Sequence, residues 1–203
     1  MRSILKKSNF FCLFFFLLLS FSVFADKHNH LSAEVTAWGK LKFHYKGYSV
    51  AVDKRLKKEM QFAEELIVIN SRPFDVKGKS YVWLIAKVTS KPKAFGKGYC
   101  GAGTEDYLVL ASLKKNLIQY HDKFKVQSCM DGFRLDPEPE SSQKISDVIS
   151  FKDGGIVLNI WKVASSNDPS IAIITNTEYK FSVSSEKIAT NILSEKITNS
   201  KFE

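Results

Sequence analysis

Glu105, Asp106 and His121 are the side chains of this 203-residue chain that could share acid–base work. A carboxylate and an imidazole that meet across neighbouring strands can pass a proton and so activate water against a hydrolysable bond. His121 follows Asp106 by fifteen residues, a spacing that permits the meeting without requiring it. Isolated histidines in polar surroundings more commonly face solvent. No serine stands in a G-x-S-x-G elbow, or in an S-x-x-K string placed to present a nucleophile. An envelope hydrolase using Glu105, Asp106 and His121 is therefore the alternative reading rather than the leading one.

Gly96-Lys97-Gly98-Tyr99-Cys100-Gly101 spells the G-x-G-x-x-G string of dinucleotide-binding loops. That chemistry needs a strand running straight into the loop and a helix leaving it. Here Lys91-Pro92 precedes the loop, and Tyr107-Leu108-Val109-Leu110 after it has the character of another strand. The glycines instead let the backbone turn sharply and carry Cys100 towards the strand that holds Cys129.

The first 25 residues give the chain an address. Arg2, Lys6 and Lys7 precede an almost wholly apolar run from Phe10 to Phe24, and Val23-Phe24-Ala25 matches a signal-peptidase site. The run is about 15 residues, short of the ~20 that span a bilayer. Residues 1–25 are thus expected to leave as a signal peptide cleaved at Ala25–Asp26. Residues 26–203 would then be exported to the periplasm or extracellular space as one domain with a frayed N-terminus and no transmembrane segment. Cys12 departs with the leader, so Cys100 and Cys129 remain as an isolated pair, expected to form a disulfide in an oxidising compartment. Its loop of about 30 residues would contribute roughly 3.5 kcal/mol in the chain-entropy model. Cleavage would also free the amine of Asp26 two residues before His28. Amine, two amides and an imidazole can supply four in-plane nitrogens to adventitious Cu(II) or Ni(II); His30 lies nearby. No other cofactor is implied.

Three of the thirty basic residues leave with the leader, so the exported chain keeps 27 against 21 acids, a net charge of +6. Such a surface favours an acidic protein, lipid head groups or an anionic envelope polymer, and it also suits a protein with no charged partner. Export argues against nucleic acid. The segment Lys54-Arg55-Leu56-Lys57-Lys58 could touch an anionic membrane if a helix exposed Leu56, Met60 and Phe62. The competing use of that stripe is to cover a sheet while the lysines face water.

These groups must be held by a mainly β fold. Leu41, Phe43 and Tyr45 alternate with Lys40, Lys42, His44 and Lys46, then Lys46-Gly47 turns the chain into Tyr48, Val50 and Val52. Residues 26–34 are polar. Asp53 could cap a helix over about 53–66 with Leu56, Met60, Ala63 and Leu66 or Ile67 on one stripe. Tyr81 to Val88 is apolar enough for a strand buried on both faces. Tyr107–Leu113, Leu117–Tyr120 and Phe124–Cys129 are expected as three further strands. Lys152-Asp153-Gly154-Gly155 marks the clearest hairpin, between Val148–Phe151 and Ile156–Val163. Ile171–Thr175 and Tyr179–Val183 should pair around Asn176-Thr177-Glu178. The tail from Ser184 looks helical, with Ile188, Ile192, Leu193 and Ile197 on one stripe. The expected architecture is an antiparallel sheet folded as a sandwich or partial barrel, with one or two accessory helices.

A rigid β scaffold carrying loops suits recognition. The leading expectation is a non-enzymatic binding module, most concretely an inhibitor or immunity-type protein acting on another protein. Its binding surface would include Lys91, Lys93, Lys97 and Glu105, and the acidic loop from Asp136 to Ser142. A metal-binding or structural envelope protein is the remaining class.

Overall fold

The computed structural model describes residues 30–37, 39–89, 104–129, 131–136, 149–165 and 171–201. Residues 1–25, read as a signal peptide, and the residues of the expected chelate, Asp26 and His28, lie outside them, as do Lys91, Lys93, Lys97, Cys100 and the acidic loop beyond Asp136. The described residues are mostly β, with 75% in strands and 4% helical, in one large mixed sheet that is not closed into a barrel.

The chain opens with three short antiparallel strands: β1 (Leu31–Val35), β2 (Leu41–Tyr45) and β3 (Tyr48–Val52). β1 lies within the segment read as frayed; it is held because Leu31 is buried beneath the sheet. Lys46 and Gly47 turn β2 into β3 with φ of 55° and 79°, the left-handed pair that a tight hairpin requires. Asp53 caps α1 (Lys54–Glu59) as expected, its Oδ1 accepting from the Leu56 N–H at 2.6 Å. The helix stops far short of residue 66. The apolar, partly β-branched stretch that follows pairs as β4 (Ala63–Val68) along β6 (Lys79–Thr89), and β5 (Phe74–Val76) pairs with the same strand. Ladder partners override the helical period there. Leu56 and Met60 are buried while the lysines of α1 are exposed, so the stripe covers the sheet; Phe62 is left outside it.

β6 pairs with β7 (Thr104–Lys114), which pairs with β8 (Leu117–Ser128). Tyr81 to Ala86 are all buried, which only a strand covered on both faces permits. Alternate residues serve two separate cores. Val82, Leu84, Ala86, Val109 and Ala111 meet Leu31, Phe43, Val50 and Leu56 on one side. Trp83, Ile85, Leu108 and Leu110 meet Leu135, Ile156, Leu158, Ile160 and Phe181 on the other. The molecule is therefore layered, with β6–β8 in the middle. β8 bridges the layers: its start runs parallel to β3, and its end pairs with β9 (Phe133–Asp136).

β8 is one strand where two were expected. The polar stretch His121-Asp122-Lys123 that seemed to interrupt it sits at a bulge opposite Leu110 and Ala111. The Asp153-Gly154 hairpin forms as expected between β10 (Ser150–Lys152) and β11 (Gly155–Ser165). β12 (Ile171–Ser184) runs without a turn at Asn176-Thr177-Glu178, because those residues are laddered on both sides, to β11 and to β13 (Lys187–Lys201). The turn lies instead at Ser185-Glu186, both at positive φ, and the tail read as a helix is the strand β13.

Candidate functional site

The structure does not bring the expected acid–base set together. Glu105 and Asp106 belong to strand β7, not to a loop, and are 5% and 1% exposed. Glu105 thus offers no docking surface. Its Oε2 lies 2.9 Å from Lys125 Nζ, and its Oε1 accepts from the Ser128 hydroxyl at 3.0 Å. Lys125 also reaches Asp131 at 2.8 Å. Burial works against the charge of Lys125, but hydrogen bonds to Asp131 and Glu105 outweigh it and hold its pKa above the ordinary lysine value. Glu105 stands opposite Ser128, seven residues along β8 from His121, or roughly 23 Å at the strand rise of ~3.3 Å per residue.

His121 has other partners. Its Nε2 lies 2.7 Å from Ser112 Oγ, and its Nδ1 lies 3.4 Å from Glu186 Oε2. With Nδ1–H turned to Glu186, Nε2 accepts the Ser112 hydroxyl proton. Tyr81 packs against the imidazole at 5.5 Å, and Lys79 pairs with Glu186. Burial, then the charge of Lys79, lowers the His121 pKa, against a smaller opposing pull from Asp53. The order of atoms is that of a hydrolase relay. Ser112, however, sits in the middle of a central strand, laddered to Tyr81 on one side and Gln119 on the other. It is absent from the lining of the adjacent cavity of about 260 Å³, which Lys79, Tyr81 and Glu186 share with the β12–β13 turn. What this geometry accomplishes is to fasten that turn to the core. Asp122 adds to it, Oδ2 accepting from the Ile188 N–H at 3.0 Å.

A second recessed surface lies on the outer layer. Residues paired directly across strands point to the same side, so three rows can be followed from β9 or β11 to β13. They are Phe133–Lys162–Thr175–Ile197, Leu135–Ile160–Thr177–Glu195 and Leu158–Tyr179–Ile192. At their inner end Leu135, Leu158 and Ile160 are buried against the central sheet. The rows then continue past it. Phe124, Phe133, Ile160 and Tyr179 floor an open cleft of about 370 Å³, with Lys125, Lys162 and Glu195 at its margins. Beyond it Ile192 and Ile197 stand 58% and 64% exposed, and residues 190–200 of β13 are all exposed. An inner sheet face here runs beyond the core that the described residues form.

Sequence reasoning singled out His121 but could not supply Ser112 or Glu186, since their meeting depends on a bulge and on a turn 65 residues downstream. It did find the stripe of Ile192, Leu193 and Ile197, though as part of a helix. Among the described residues no three His, Cys, Asp or Glu side chains are grouped to hold a metal ion. No described helix is long and apolar enough to cross a membrane. Comparison with protein-family models, with curated proteins and with solved structures gives no match.

Proposed function

We propose that the protein is an exported, non-enzymatic binding module, most concretely an inhibitor or immunity-type protein, and that it grips its partner through the overhanging face of β11–β13. The observation that carries this reading is the pair Ile192 and Ile197, exposed beside half-buried Tyr179 and Thr175 on the sheet face that buries Leu135, Leu158 and Ile160 further in. Exposed aliphatic surface joined to a recessed aromatic floor is characteristic of protein-docking sites. β13 pairs with β12 alone among the described strands, so its outer edge can also accept an extended segment by main-chain hydrogen bonding. The fitting partner is a polypeptide that adds a strand there and places apolar side chains over Tyr179 and Phe133. Lys91, Lys93 and Lys97 would then contribute to encounter rather than to the closed interface.

Co-purification from a periplasmic extract should yield one stoichiometric protein partner. The double variant Ile192→Glu/Ile197→Glu should lose it while melting within a few degrees of wild type, because neither side chain is buried. A complex that survives this variant would refute the assignment. The competing reading is an envelope hydrolase, to which the order Ser112, His121, Glu186 would lend its atoms although Ser112 does not line the adjacent cavity. That reading requires turnover of an envelope substrate that Ser112→Ala and His121→Ala each abolish with folding intact.

A further inference from the structure

Most of the net charge of the exported chain falls in one part of it. Residues 40–58 hold seven basic side chains (Lys40, Lys42, Lys46, Lys54, Arg55, Lys57 and Lys58) against one acid, Asp53. With Glu34 and Glu59 counted, β1–β3 and α1 (residues 31–59) carry seven bases against three acids, a net of +4 out of the +6 of residues 26–203. The strand period of β2 sends Lys42 and His44 outward from buried Phe43, with exposed Lys40 and Lys46 at its ends. The four cations of α1 are exposed as well, while Asp53 is occupied by the helix N-terminus and by the Tyr120 N–H at 2.6 Å. The other two acids of these elements are also engaged, Glu34 with Lys42 at 3.1 Å and Glu59 with Lys123 of β8 at 2.8 Å, so six of the seven cations are not paired with them. β1–β3 and α1 pack on one side of the central sheet; β9–β12 pack on the other.

We propose that the outer face of β1–β3 and α1 is a docking surface for an anionic phospholipid bilayer. Six of its seven cations are lysines, compact hydrated point charges that respond to a diffuse field, whereas recognition of a single carboxylate or phosphate favours the forked guanidinium of arginine. Both clefts described above open on the other side of the central sheet, and what this side presents is an array of charge. Leu56 and Met60 are committed to the core, leaving α1 no apolar stripe to insert. Adsorption is therefore electrostatic, reversible and steeply salt-dependent. It leaves the overhanging face of β11–β13 turned away from the lipid.

Sedimentation of the purified protein with phosphatidylcholine vesicles, with and without phosphatidylglycerol, tests this. Binding is expected only where phosphatidylglycerol is present, and should vanish as salt rises from about 0.05 to about 0.5 M. Each lysine removed should lower the partition constant about fivefold. Lys54→Gln/Lys57→Gln/Lys58→Gln should therefore lose well over tenfold while melting like wild type. Ile192→Glu/Ile197→Glu should bind vesicles normally, which separates this inference from the docking of a protein partner. Equal binding to neutral vesicles, salt-insensitive binding or an unaffected lysine variant would overturn it. So would capture by soluble polyglutamate without capture by vesicles.

Discussion

His121 is the residue whose chemistry depends most on its neighbours. Burial and Lys79 disfavour its protonated form in the folded chain. Its pKa is therefore ordinary, near 6.5, when unfolded and lower when folded. The unfolded state then binds the proton more tightly, so the contribution of His121 to stability is complete above its ordinary pKa. It is lost as pH falls towards the folded value. Melting temperature should accordingly drop on acidification below about pH 6.5, before most carboxylates titrate. His121→Gln, which cannot take up a proton, should flatten that part of the profile. A wild-type profile that stays level from about pH 7 to 5, or an unchanged one in the variant, would show that the imidazole is not held in its neutral form. Ser112, Tyr81, Lys79 and Glu186 are the groups against the ring; Asp53 and Arg55 act from further off. Sequence inspection could flag a lone histidine here. Its partners come from three other segments and are visible only once β6, β7 and the β12–β13 turn are gathered around β8.

At the scale of elements, Asp53 shows how one side chain joins two of them. Its Oδ1 satisfies the first turn of α1 while its Oδ2 accepts from the Tyr120 N–H of β8. Asp53→Ala should remove the cap and orphan a part-buried donor, at a cost of about 2–3 kcal/mol in chemical unfolding. Asp53→Asn retains one acceptor oxygen and should recover part of that loss, whereas equal effects of the two changes would mean that the carboxylate does not couple helix to strand. The cap was legible from Asp53 standing before an amphipathic run. The misreading of β13 has an instructive cause. A spacing of four, as from Ile188 to Ile192 or from Leu193 to Ile197, fits both a helical turn and two strand repeats. The step from 192 to 193, which suggested a helix, is absorbed by a bulge: Tyr179 pairs with Ile192 and Glu178 with Ser194, leaving Leu193 as the extra residue. Periodicity could not distinguish the two because the bulge imitates a helical phase shift.

For the molecule as a whole, the joining of Cys100 to Cys129 is expected to tie the end of β8 to the segment between β6 and β7. Cys129 directly follows β8. Non-reducing peptide mapping of protein taken from the periplasm should give a single cross-linked fragment, and two freely alkylated thiols would rule the bond out. Cys100→Ser and Cys129→Ser should each cost about 2–5 kcal/mol. Much of the architecture was open to reading from the chain alone. Alternation in residues 41–52 and the unbroken apolar run of β6 specify strands and their degree of burial, because side-chain direction in a strand follows from local geometry. Asp153-Gly154 specifies a hairpin for the same reason. What only the tertiary structure decided is how the layers are assembled. Two cores form on opposite sides of β6–β8, the carboxylates of β7 are turned inward away from His121, and the outer sheet extends past the described strands beneath it. Those outcomes depend on which distant strands find one another, and local period carries no information about that pairing.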